Sequence, residues 1–204
     1  MITHNPNTRL ETFCDGVFAI AMTLLVIDIK IPHTALIRNT TDFWLAIQEI
    51  LPSIFAFILS FIIIFITWVN HHNILKLVNN TSPAFIYANG FLLLTVVFIP
   101  FPTSMLGEFI LTDHASPAVL LYCAMIAVQS MAWIIISHSV LKNELAKSEK
   151  AIMLMQENKR NGLITLIVYS TLSIVSAWFP LTVAMLTTLT SIFWLIYGIK
   201  IKHD

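Results

Sequence analysis

Apolar runs of helical length, separated by short polar punctuation, occupy most of the chain. Read against charges and turn residues, they predict helices near 13–31, 47–69, 84–107, 117–140, 163–179 and 182–200. A helix needs roughly 20 residues to cross about 30 Å of hydrocarbon, so the expectation is six membrane spans. Proline marks the edges: Pro32 closes the first run, Pro52 sits early in the second, Pro83 and Pro117 stand at or beside the starts of the third and fourth, and Pro180 separates the last two. The one long polar stretch, LKNELAKSEKAIMLMQENKRNG over 141–162, has the spacing of an amphipathic helical connection rather than a domain linker. These elements predict an all-α polytopic membrane protein, one domain over 1–204.

Within the first run, Phe13, Gly16 or Val17, Ile20, Leu24, Ile27 and Ile31 recur every three or four residues and share one stripe, with Ile20, Leu24 and Ile27 at its centre. A stripe of this kind usually meets lipid or a neighbouring helix. Its polar companions change the picture. Asp15, near one end of the span, needs a partner, because ionisable groups at membrane depth face the bundle interior or water. Thr23 has the option of bonding back to its own helix. Asp28 and Lys30 suit the far interface. The second run ends in WVNHH, so Trp68, Asn70, His71 and His72 gather at the level of Arg9 and Asp15, and Asn89 reaches the same depth from the third. An unpaired buried amide is costly, which predicts a cluster of Arg9, Asp15, Trp68, His71 and Asn89 that locks the base of the first helix. His72 points about 100° away from His71, so the two are poor joint ligands for a metal, and no metal or cofactor is expected. In the third run, Pro100 and Pro102 of IPFPT should bend or end the helix.

Only 11% of residues are charged, against roughly 25% in a soluble domain. Acidic and basic residues balance and no basic cluster appears, which excludes nucleic acid as a partner. Cys14 and Cys123 both lie in apolar runs and suggest neither a disulfide nor a metal site. The first run is too long for a cleaved signal and reads as a retained span. Of the 11 basic residues, Arg9, Lys76, Lys142, Lys147, Lys150, Lys159, Arg160, Lys200 and Lys202 fall on one side of the six-span map, leaving Lys30 and Arg38 on the other. That bias predicts that both termini face the cytoplasm; the expected location is the cell's inner (plasma) membrane.

The run Arg9-Leu-Glu-Thr-Phe-Cys-Asp-Gly-Val-Phe-Ala-Ile resembles the first-helix signature Arg-x-x-x-Phe-Ser-Asp-Gly-Val-Phe-Ala-Ile of the lysosomal/endosomal potassium channel family and its bacterial homologues, with Cys14 in place of serine. WVNHH and the segment from Asn89 to PFPT are similar to that family's second and third spans, so the specific likeness covers about half the chain. The resemblance implies a potassium-preferring cation channel without a re-entrant selectivity-filter loop. It further implies a homotetramer of six-span subunits around one pathway lined by the first helix. Ile20 then takes the narrowest position, Leu24 and Ile27 continue the apolar wall, and Thr23 stands near the pathway. Potassium and other monovalent cations would be the permeating species, with membrane lipid around the assembly.

A small secondary ion transporter is the alternative. It calls for a polar midplane site, often on broken helices, whereas the polar residues here collect near one face and Thr23 is the best central candidate. A membrane enzyme needs convergent acids, bases or metal ligands, which Asp15, His71 and His72 do not supply at their depth. A non-catalytic scaffold would carry no current.

Overall fold

The computed structural model describes residues 7–30 and 37–200, with side chains as far as 196. The described chain is all helical: α1 Thr8–Leu24, extended by a 3-10 turn Leu25–Asp28; α2 Thr40–Glu49; α3 Leu51–Lys76; α4 Pro83–Phe98; α5 Pro100–Phe109; α6 Ala115–Lys142; α7 Glu149–Val175; and α8 Pro180–Lys200. Four of these units are long and apolar enough to cross a bilayer, Thr8–Asp28, Leu51–Lys76, Pro83–Phe109 and Ala115–Lys142, and Pro180–Ile196 is a shorter apolar helix. Pro32 and Ile31 lie outside the described residues.

Local chemistry sets the helix starts. Ser82 and Ser148 accept from the backbone N–H groups of Phe85 and Ala151, each capping an otherwise orphaned donor. Pro83 and Pro180 occupy first positions, where a missing N–H costs nothing. Pro100 cannot donate to Val96, whose carbonyl takes the N–H of Ile99 instead, and the third apolar run breaks there into α4 and α5.

Two sequence expectations need correction. The polar stretch 141–162 is not a separate connection: α6 runs to Lys142, a short loop follows, and Glu149 begins a helix that continues unbroken to Val175. Its charges face outward while Ala151 and Met155 are buried, so amphipathicity interrupts the apolar run without interrupting the backbone hydrogen bonds. The run beginning at 47 holds the end of a separate helix, α2, and α3 starts only at Leu51 and reaches Lys76.

α6 and α7 form an antiparallel hairpin, recorded by the bonds from Asn158 Nδ2 to Ser137 Oγ at 2.8 Å and from Ser173 Oγ to the Leu120 carbonyl at 3.0 Å. α4 packs between α1 and α6, and α3 meets α1, α5 and α8. At one end of the bundle the loops after α3 and α6 pair as an antiparallel bridge, Val78 with Ala146. Asn7 Nδ2 donates to the Val78 carbonyl at 2.8 Å, so the start of α1 is tied to the same point. Lys30 and Glu108 pair at 2.8 Å toward the other end.

Glycine matters where α5 crosses α3. A Cβ on Gly107 would stand 2.8 Å from the Ser53 Cα, which is backbone and has no rotamer to escape into. On Gly162 it would meet the Ile134 Cγ1 at 2.9 Å, an atom that a χ1 change can move. Gly107→Ala should therefore destabilise the protein by about 1–3 kcal/mol and Gly162→Ala by less, read as melting temperatures in detergent. Equal shifts would show that the α3–α5 crossing yields as readily as a side chain.

Candidate functional site

α1 carries two unlike faces. Cys14, Phe18, Ala21 and Leu25, spaced by four and three, are fully buried against the bundle. Phe13, Ile20, Leu24 and Ile27 look outward, Ile20 with 59% and Ile27 with 70% of its surface exposed. The change to a 3-10 turn after Leu24 keeps this stripe straight, because at about three residues per turn Leu24 and Ile27 eclipse. Thr23 is exposed beside them, and its Oγ1 donates to the Ile20 carbonyl at 2.8 Å. This leaves an apolar wall with one hydroxyl turned back onto its own helix.

Behind that wall stand rungs to α3 and α4. Trp68 Nε1 donates to Asp15 Oδ1 at 2.8 Å, and His72 Nδ1 meets Glu11 Oε1 at 3.2 Å. The rings of Trp68 and His72 stack at 6.0 Å. Deeper in, His71 Nε2 lies 2.8 Å from Asn89 Oδ1 while Asn89 Nδ2 donates to the Phe85 carbonyl at 2.7 Å. With the amide nitrogen so engaged, the His71 proton must sit on Nε2, leaving Nδ1 as a lone pair with no partner among the described residues. The Phe18 ring packs 5.5 Å from His71, which couples the buried face of α1 to this pair.

Asp15, Trp68, His71 and Asn89 thus occupy one region but form two bonding systems, Asp15 with Trp68 and His71 with Asn89. Arg9 is a correction. It is exposed and makes no hydrogen bond or ion pair with another described residue, because six positions along a helix set it about 120° from Asp15. Glu11, one helical turn before Asp15, takes the place expected of Arg9. Matched spacing would have revealed it: Glu11 and Asp15 are four apart on α1, Trp68 and His72 four apart on α3, and the antiparallel order pairs them. Sequence reading also missed a buried hydroxyl group of Ser60, Thr103 and Tyr122 joining α3, α5 and α6. Among the described residues no group of three or more His, Cys, Asp or Glu is placed to hold a metal.

The family model described as the endosomal/lysosomal potassium channel TMEM175 matches residues 9–100. A potassium channel of Chryseobacterium is 30% identical over 199 residues, 96% of each chain. A potassium channel of Chamaesiphon minutus is 46% identical over 114 residues, 56% of each, so the match spans little more than half of that relative. Among solved structures, a lysosomal potassium-selective channel TMEM175 homolog from Chamaesiphon minutus superposes with a TM-score of 0.81 at 30% identity, covering 96% of this chain and 99% of that one.

Proposed function

Because this chain belongs to the TMEM175 potassium channel family, we propose that it conducts potassium passively across the membrane through a pathway lined by α1. The family is one of ion channels, not enzymes. The observation that supports the pathway is the outward stripe Ile20, Leu24 and Ile27 on a helix whose opposite face is wedged into the bundle. A helix at the flank of one subunit cannot enclose an axis. Cyclic association of identical chains gives it one, and four copies place four α1 helices around the pathway.

On this reading Ile20 forms the narrowest ring, Leu24 and Ile27 extend it, and Thr23 offers its hydroxyl oxygen beside the wall. Apolar rings gate by dewetting, and an ion that crosses them sheds part of its hydration shell. Potassium holds its water less tightly than sodium and loses less, which favours it modestly. Asp15, Trp68, His71 and Asn89 serve as the rear support of the helix, not as ion ligands. No cofactor enters the scheme.

Each subunit would cross six times, α7 through its apolar part beyond Gly162 and α8 after Pro180. An even number returns both termini to one side, where the start of α1 and the loops after α3 and α6 already meet. On this reading the excess of Lys and Arg puts that side in the cytoplasm, and the protein sits in the plasma membrane.

Purified protein in potassium-loaded liposomes should pass potassium faster than sodium, without saturation or coupling to a second gradient. Native mass measurement of the detergent-solubilised protein should give a tetramer. A monomer that still conducts would overturn the shared pathway.

A further inference from the structure

Away from α1, a small cavity of about 10 Å³ lies where α3, α5 and α6 converge, lined by Ile63, Ile99, Pro102, Tyr122, Ile126 and Gln129, with Met125 at its edge. Gln129 is buried, 5% exposed, and its Nε2 has no hydrogen-bond partner among the described residues. A donor in that position is costly unless something accepts from it.

The adjacent hydroxyls cannot spare a hydrogen. Thr103 Oγ1 donates to the Ile99 carbonyl at 2.8 Å, so at the 2.6 Å contact between Ser60 and Thr103 the hydrogen is that of Ser60. The 2.8 Å contact between Ser60 and Tyr122 is then filled by the Tyr122 hydrogen. The direction of the whole chain is fixed, and the Tyr122 oxygen keeps a lone pair. One unspent donor, Gln129 Nε2, and one acceptor, the Tyr122 oxygen, thus belong to residues that line this space.

We propose that the cavity is a binding site for one water molecule, which accepts from Gln129 Nε2 and donates to the Tyr122 oxygen. The volume is close to the roughly 10–15 Å³ that a single water needs. A cation is disfavoured by the inward-facing N–H, and a hydrocarbon guest needs far more room. The water extends the hydroxyl chain of Thr103, Ser60 and Tyr122, which joins α5, α3 and α6, on to Gln129.

Two measurements test this. A structure at a resolution that shows other buried waters should hold one isolated peak about 2.7–3.2 Å from Gln129 Nε2. No peak there, or a Gln129 amide bonded directly to the backbone, overturns the proposal. Radiolytic hydroxyl labelling reads the same site through Met125, with the fully buried Met155 as the baseline. Met125 is part exposed, so the reading is the change: its labelling should fall in Gln129→Leu while that of Met155 stays constant. Met125 labelling unchanged by the substitution overturns it. If Gln129→Leu does not fold, the wild-type peak still decides.

Discussion

Ile20→Asn protein in liposomes should pass cations about tenfold faster than the wild type and separate potassium from sodium less well. Ile20 is more than half exposed on a helix whose other face is fully packed, so the substitution leaves the subunit core intact. What changes is the ring that the proposed tetramer places on the axis. An amide there gives water a donor and an acceptor, and lowering the crossing barrier by about 1.4 kcal/mol corresponds to a tenfold rate. The check is paired potassium and sodium flux, normalised to folded protein. Unchanged flux and selectivity in a well-folded Ile20→Asn tetramer would put Ile20 against lipid and remove α1 from the pathway.

Loss of the rear support should act on assembly instead of permeation. Asp15→Ala deprives the Trp68 indole of its acceptor, at a cost of about 1–3 kcal/mol. His71→Ala empties a site that is 1% exposed, strands Asn89 and takes the packing partner from Phe18, for about 3 kcal/mol or more. Tetramer yield should fall in both, more steeply for His71→Ala, while the tetramers that form keep the wild-type potassium-to-sodium ratio. Asp15→Asn retains an oxygen for Trp68 and should recover much of the yield. A normal yield of Asp15→Ala tetramers with lost cation selectivity would move that carboxylate onto the conduction path.

Different physics explains what the sequence made legible and what it hid. α3 and α6 were plain because apolar runs bounded by proline leave few other structures to adopt. α7 was cut in two because hydropathy reports the surroundings of a helix, whereas its continuity depends on backbone bonds that Glu149 and Lys150 do not disturb. The depth of Asp15, His71 and Asn89 could be read from position along their spans; of their pairings, only that of Glu11 and Asp15 with His72 and Trp68 left a trace, in matched four-residue spacing, whereas that of His71 with Asn89 depends on how α3 and α4 are turned toward each other. The group of Ser60, Thr103 and Tyr122 gave no signal at all: lone hydroxyls in membrane helices ordinarily bond back to their own backbone, and only the crossing of three helices joins these.

The tie between Asn7 and Val78 makes α1 a lever. Held at its base by that bond and, a turn or two later, by the polar contacts of Glu11 and Asp15, the helix meets the bundle farther on through the non-directional apolar packing of Phe18, Ala21 and Leu25 and the exposed Lys30 to Glu108 pair. For a rigid tilt about Asn7, displacement grows with distance from the fulcrum. At 1.5 Å per residue, Ile27 lies about 30 Å away and Ile20 about 20 Å, so Ile27 sweeps roughly half as far again as Ile20. On the proposed pathway a given swing would therefore open the outer mouth first and the Ile20 ring least, so that Ile20 would set how far the helix must lean before an ion fits.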